Sequence, residues 1–397
     1  MSELEEPGRH AGYPIGASVT VAELAADPHP VLARLREAEP VSWLPAVGGW
    51  LVSRADLADS VLRDPGAFTV DDPRFTTARV VGPSMLSLDG REHRRHRDPF
   101  ARALREPQTR ARLAAAAANE AARLVSALAS GPGEAELRRG LAGQLAVAVM
   151  ADMLGLDAGP AQLLGWYDAI VAGVSALSVA DGTVADTATA AFDELSACVE
   201  AALAQPARPS VLTAAADWLS PAEIVSNAAV MLFGGIETTE GMICNALWYL
   251  LGDRAAWREV MADRRMIGSA VEEALRLEPA AAVVDRYASA DVVLGGAQIR
   301  SGDLVRVSLS SANRDPAVFT DPDRFDVHRE NARQHRAFAI GPHFCVGAEL
   351  ARTEAQAAVS ALLDRLPGLR LDPGRPSAPQ GLVFRKPASL HVRWEAS

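Results

Sequence analysis

Three small groups of residues in this chain invite chemistry, and the first is a single cysteine. Cys345 lies within RAFAIGPHFCVGAELAR (336–352), with Gly341 and Pro342 ahead of it and Gly347 behind. These residues shape a tight loop that runs into an alanine-rich helix. The sulfur is thereby expected near free backbone N–H groups and the positive end of a helix dipole, a setting that favours a thiolate. The second group is GGIETT (234–239), set inside a long apolar helical pattern. Gly234 and Gly235 together cost that helix about 2 kcal/mol relative to alanines. Something must therefore approach closely, either another helix or the flat face of a ligand. Read alone, Glu237 and Thr238 are a solvated acid and a neutral filler. The third group is Glu273 and Arg276, three apart on one helical face, where they read as a structural ion pair.

The elements that must position these groups are mostly helical. SPAE (220–223) announces the longest helix, with Ser220 as N-cap, Pro221 at the first helical position and Glu223 closing a capping box. Its apolar pattern runs to about Leu251, a rod that crosses the whole molecule. A second helix over 266–278 stops at Pro279. Beyond it the period becomes alternating over 291–315, which reads as strand, Gly-Gly turn, strand, turn, strand. PVSWLPAVGGWLVS (40–53) reads as a hairpin turning at Gly48-Gly49, and GLVFRKPASLHVRW (381–394) as a closing hairpin. An irregular stretch (316–344) leads to the cysteine loop, and a last helix starts near Val346. No internal repeat or linker-like segment interrupts this order. The expected architecture is mainly α with small β-sheets, one domain over 1–397 with an N-terminal extension over 1–30.

Composition narrows the function. At 397 residues, 49% hydrophobic and 22% charged, the chain is ordinary globular protein with room for a large core. A formal net charge of −11 argues against general affinity for nucleic acid. The acidic start MSELEEPGRH is no signal peptide, and no apolar run approaches the ~18 residues that span a bilayer. A cytoplasmic protein with no membrane partner is expected. Cys198, Cys244 and Cys345 are too few and scattered for a zinc site. As a lone cysteine, Cys345 reads either as a buried small hydrophobe or, being a thiolate in a shaped loop, as an axial haem ligand.

Taken together, the groups carry a resemblance. The pattern F-x-x-G-x-H-x-C-x-G from Phe338 to Gly347 resembles the haem-binding loop of the cytochrome P450 family. GGIETT resembles the oxygen-activation motif of that family's central helix, EALR (273–276) its Glu-x-x-Arg signature, and DPDRF (321–325) the arginine segment packed against it. HRRHR (93–97) is similar to the His-x-x-x-Arg of an earlier helix. The likeness covers most of the chain, from about residue 30 onward. One departure stands in the loop, where Ala339 replaces the usual glycine. The resemblance implies haem b held by Cys345 as iron ligand, with Phe338, Gly341 and Gly347 shaping the loop and Gly234 and Gly235 lying against the ring. It implies His93, Arg97, Arg286 and His343 as partners of the propionates. Thr238 is to hydrogen-bond dioxygen and order water, Glu237 to relay protons, and Glu273 and Arg276 to form a buried network with Arg324.

The substrate cavity is expected to draw on 75–86, the stretch near 166–177, Met231, Phe233, 280–284 and 382–384, with Arg74 and Arg79 near the entrance. These segments are mainly small and aliphatic, which suits a roomy apolar cavity. The implied activity is a monooxygenase reaction on a small, largely apolar organic molecule, in bacterial specialised metabolism. Electrons are to come from a ferredoxin and its NAD(P)H-dependent reductase, docking on arginines around the cysteine loop (Arg94, Arg95, Arg333, Arg336, Arg352). Two rival readings stay open: a haem-thiolate enzyme that uses peroxide or does not reduce oxygen, and a non-enzymatic haem sensor or carrier.

Overall fold

Ser220 caps the element on which the rest of the protein is built. Its hydroxyl accepts from the amide of Glu223, the Glu223 carboxylate accepts from the Ser220 amide, and the helix then runs unbroken from Pro221 to Gly252. At 1.5 Å per residue it is about 48 Å long. The computed structural model describes residues 12–179, 186–205 and 210–395, and within them this central helix is buried on nearly every side. A helix apolar all round must be enclosed, and four others enclose it: Gly143–Leu154, Asp186–Leu203, Ile267–Leu277 and Ala348–Arg365. Its few buried polar side chains tie it to the surrounding wall. Asn227 donates to the Glu223 carbonyl, meets His96 at 2.9 Å and accepts from the Met85 amide. Asn245 donates to the carbonyls of Glu278 and Arg385.

The sheets sit at the periphery. The largest runs Val41–Leu44, Gly49–Val52, Leu304–Ser308, Val283–Ala288, Phe68–Thr69, with only the Gly49–Val52 and Leu304–Ser308 pair parallel. The expected first hairpin is present, although only Gly48 takes a positive φ, of 61°. The alternating stretch after Pro279 gives strands Val292–Leu294, Ala297–Ile299 and Leu304–Ser308 as expected, but it ends earlier, because Leu309–Ala312 is a helical turn capped by Ser308.

Two boundary expectations are corrected. Residues 381–394 do not form a hairpin: Lys386–Pro387 pairs with Pro379–Gln380, whereas His391–Arg393 lies between Glu134–Glu136 and Arg370–Leu371. Two- and three-residue strands carry too little periodicity to announce their partners. The N-terminal extension drawn over 1–30 is also too long. Helices begin at Pro14, and Glu39 accepts from the amides of Ile15 and Gly16 and from Ser42, fastening this segment to the first strand. Residues 1–11 lie outside the described residues.

Candidate active site

Gly341 explains how the cysteine loop is held. It has φ +75°, and a side chain there would meet the Leu62 carbonyl oxygen at 2.4 Å, so the loop lies flat on the preceding helix Ala55–Arg63. The Cys345 amide then donates to the Phe338 carbonyl at 2.9 Å, closing the loop on itself. Ala339, the departure noted in the sequence, sits at φ +54°, where a side chain costs roughly 1–2 kcal/mol. Its amide still donates to the Arg336 carbonyl at 2.8 Å, so the loop adopts the turn a glycine would take without the relief a glycine would give.

Cys345 opens into a cavity enclosing about 1310 Å³, mouth included. Because that space lies inside the protein, burial pushes the thiol above its ordinary range, while the Gly347 amide, Arg97 and Arg352 act the other way. The expected thiolate-favouring environment is therefore outweighed by burial. The other cysteines are not competitors: Cys244 is fully buried in the core, and burial pushes both it and Cys198 upward as well.

The roof of the cavity is the central helix. A side chain at Gly234 would meet nothing within 4 Å, whereas at Gly235 it would meet the Met150 sulfur at 2.2 Å. One glycine thus keeps the cavity clear and the other lets a neighbouring helix approach. Thr238 lines the cavity and donates its hydroxyl to the Gly234 carbonyl at 2.6 Å. Glu237 does not line it. Its carboxylate points elsewhere and pairs with Lys386 at 2.8 Å.

At one edge, three basic groups, His93, Arg97 and His343, face the cavity. His93 and His343 lie with ring centroids 4.2 Å apart, and both face the cavity. Burial, followed by His343 and Arg97, pushes His93 down to about 4, and its buried Nε2 has no partner. Arg97 faces the cavity and donates to the Phe344 carbonyl at 2.5 Å. Arg286 is not in the wall; it is buried, its NH1 donates to the Asp285 carbonyl, and among the described residues no carboxylate pairs with it. Burial lowers both guanidinium groups from their usual range. An orphaned imidazole nitrogen beside the Arg97 guanidinium suits an anion at this edge, with Arg286 close enough to Asp89 and Asp285 to feel their charge. Asp89, which the sequence reading missed, orders the group by accepting from His343 at 2.7 Å, from Thr69 and from the Val70 amide. Burial opposes its charge, but those hydrogen bonds outweigh it and hold the carboxyl at about 2.

Glu354 was also missed. It lies in the wall with its Oε2 unpartnered, and burial alone pushes it well above the usual carboxylate range. A signal existed: Gly347, Leu350, Ala351 and Glu354 follow an i, i+3, i+4, i+7 stripe, and all four line the cavity. Of the segments assigned to the substrate cavity, Met85, Leu86, Met231, Ala280, Ala281 and Val284 do line it. Phe233 instead packs edge-on against Phe384, and Trp166, Tyr167 and Ile170 are core. Side chains of 174–177 lie outside the described residues. Arg74 is held by Asp72 and the Gly302 carbonyl, and Arg79 is not in the wall.

Beneath the site, Arg276 and Glu273 form a fully buried pair at 2.7 Å, as expected. The third member is corrected. Arg324 contributes only its backbone carbonyl, accepting from Arg276, while the second cation on Glu273 is Arg329 at 2.9 Å. The arginine patch is corrected too. Arg336 is buried against Asp59, Arg95 is held by Glu92 and Glu223, and Arg352 by Glu272 and Glu349.

A mainly helical body, a long helix roofing a cavity and a lone cysteine looped beneath it define a haem-thiolate protein. The sequence model described as Cytochrome P450 matches residues 210–380. The chain is 34% identical to nocardicin C N-oxygenase of Nocardia uniformis subsp. tsuyamanensis, over 96% of this chain and 98% of that one. It is 36% identical to mycinamicin IV hydroxylase/epoxidase of Micromonospora griseorubida, over 91% and 94%. Among solved structures, that of CalO2 aligns with a TM-score of 0.84 at 29% identity, covering 95% of this chain and 99% of that one. The chain belongs to the cytochrome P450 family and is a monooxygenase of that family. Among the described residues no helix is long and apolar enough to cross a membrane.

Proposed function

We propose that this P450 monooxygenase carries haem b, takes two electrons from a separate ferredoxin and NAD(P)H-dependent reductase, and oxidises a largely apolar organic molecule of bacterial specialised metabolism in the cytoplasm. The observation that carries the reading is the cavity itself: a lone cysteine on its floor, Gly234 and Thr238 on its roof, and Arg97, His343 and a His93 with an unpartnered nitrogen at its edge. Relatives that act on nocardicin C and mycinamicin IV support the metabolic setting.

Haem, when bound, supplies the reduction of dioxygen and the transfer of one oxygen atom to substrate. The chain's own residues do the rest. Cys345 offers its sulfur to the iron, and the Gly347 amide hydrogen-bonds that sulfur. His93, Arg97 and His343 would hold the two propionates, with Arg286 adding its charge from behind the wall, and neutral His93 would serve as a hydrogen-bond donor. Thr238 spends its one proton on the Gly234 carbonyl, which leaves its oxygen free to accept a hydrogen bond from water in the cavity. Such a water would carry protons into the cavity, and Glu237 would be the acid that reloads it. Five of the eight methionines, Met85, Met150, Met153, Met231 and Met242, face the cavity. Unbranched thioether side chains repack around different shapes, which suits a bulky apolar substrate.

The test has two arms. The reduced carbonyl complex should show the thiolate-type Soret band in the wild type, in Cys198→Ala and in Cys244→Ala, and lose it in Cys345→Ser. In Thr238→Ala, reductant and dioxygen should still be consumed, but the oxygen should leave as hydrogen peroxide. A Thr238→Ala enzyme that stays fully coupled, or a Cys345→Ser enzyme that keeps the band, would sink the reading.

A further inference from the structure

The only lysine in the chain is buried against the central helix. Lys386 is 9% exposed, and its ammonium stands 2.8 Å from Glu237 and 2.5 Å from Glu240. Glu240 is completely buried and has two further cations, Arg138 at 3.1 Å and Arg139 at 3.4 Å. Arg139 is 41% exposed and reaches Asp168 at the surface, 3.4 Å away. A continuous line of charge therefore runs from solvent through Arg139, Glu240 and Lys386 to Glu237, the residue just before Thr238.

The line is asymmetric. Glu240 keeps two guanidinium partners whatever Lys386 does, but among the described residues Lys386 is the only cation paired with Glu237. Other charges nearby are already committed. Glu136 accepts from the amides of Arg138, Arg139 and Leu390, and Arg385 is bound to Glu278. Among the described residues no other cation pairs with the Glu237 carboxylate.

We propose that Lys386 is a positioning residue that gates the acid. It holds Glu237 turned away from the cavity, and Glu240, anchored by Arg138 and Arg139, keeps the ammonium paired when Glu237 lets go. Without that second carboxylate, releasing Glu237 would leave a buried ammonium uncompensated. With it, the exchange of Glu237 between Lys386 and the Thr238 side of the helix is a swap among existing partners. Proton delivery to the cavity is then open only when Glu237 has left Lys386. This inference rests on the reading of Glu237 as the proton-relaying acid, and it adds the device that withholds the proton.

A single lysine makes the test direct. Holoenzyme grown with ¹⁵N-lysine should give one side-chain Nζ resonance in its diamagnetic reduced carbonyl form. Glu237→Gln and Glu240→Gln should each shift it. Substrate-free oxidation of NAD(P)H, driven by a bacterial ferredoxin and reductase, should release hydrogen peroxide several-fold faster in Lys386→Met, because the acid is no longer held away. Lys386→Arg should restore the low rate, and adding Glu237→Gln to Lys386→Met should abolish the rise. A merely structural lysine would alter folding or haem content but not this pattern. An Nζ resonance unmoved by Glu237→Gln overturns the proposal even if Lys386→Met fails to fold. A Lys386→Met enzyme that leaks no more than wild type overturns it while the monooxygenase reading stands. If Glu237→Gln alone leaves coupled turnover untouched, Glu237 is not the acid and the reading beneath the proposal fails.

Discussion

Burial alone pushes the Glu354 carboxyl well above the usual carboxylate range, and that makes it a pH-dependent liability. The folded protein retains a proton that the unfolded chain gives up near the ordinary glutamate value of about 4.3. Where the folded state binds more protons, stability falls as pH rises. Between weakly acid and weakly alkaline pH the wild type should lose stability for this reason, and Glu354→Gln should remove that part of the slope. Denaturant midpoints of both proteins across pH read the difference; parallel curves would show Glu354 ionised, or hydrogen-bonded, in the native state. The residue also marks where sequence reading ended. Cys345, Thr238, Gly234, His93, Arg97 and His343 were legible because short motifs fix their spacing, and all face one cavity. Glu354 and Asp89 were not, because their roles come from what tertiary packing puts around them. Glu237 shows the limit most clearly: the resemblance implied a role for it, but its partner Lys386 lies 149 positions further along the chain (386 − 237).

At the scale of elements, capped and periodic helices were the readable part. Ser220 and Glu223 announced the central helix within a residue of its observed start, and Pro279 ended the helix before it. The closing hairpin failed because its strands are two and three residues long and pair with distant segments. The buried network around Glu273 failed in one member for a similar reason. DPDRF placed an arginine in the right loop, but the loop folds so that the Arg324 backbone and the Arg329 side chain meet the helix. This gives a clean contrast. Arg329→Ala should strand part of the buried Glu273 charge and destabilise the protein by roughly 3 kcal/mol or more. Arg324→Ala, which keeps the carbonyl and removes an exposed side chain, should stay within about 0.5 kcal/mol of wild type. Equal losses from urea unfolding of the two variants would mean that the assignment of the network is wrong.

For the whole molecule, the question is how a protein of net charge −11 meets an electron donor that is itself expected to be acidic. Long-range repulsion would slow every encounter unless one face is locally positive. The ion pairs reduce the candidates near the cysteine loop. Arg336, Arg352 and Arg95 are held by carboxylates, so reversing their charge would break the fold's own contacts before it tested docking. Arg333 differs. Its side chain is 74% exposed, and its one carboxylate neighbour, Glu272 at 3.7 Å, is already engaged by Arg352 and His335. Arg94, one position after His93, is exposed as well. These two should carry the attraction. Reduction by ferredoxin should slow as ionic strength rises, since exposed charges are screened over about 8–10 Å at ordinary salt. Arg333→Glu, and more so Arg333→Glu with Arg94→Glu, should lower the association rate several-fold while the carbonyl spectrum and thermal stability stay as in wild type. Stopped-flow reduction across a salt series measures both effects in one experiment. If the rate is flat in salt and indifferent to the two reversals, donor docking does not use this face, and an apolar contact elsewhere must guide the electrons in.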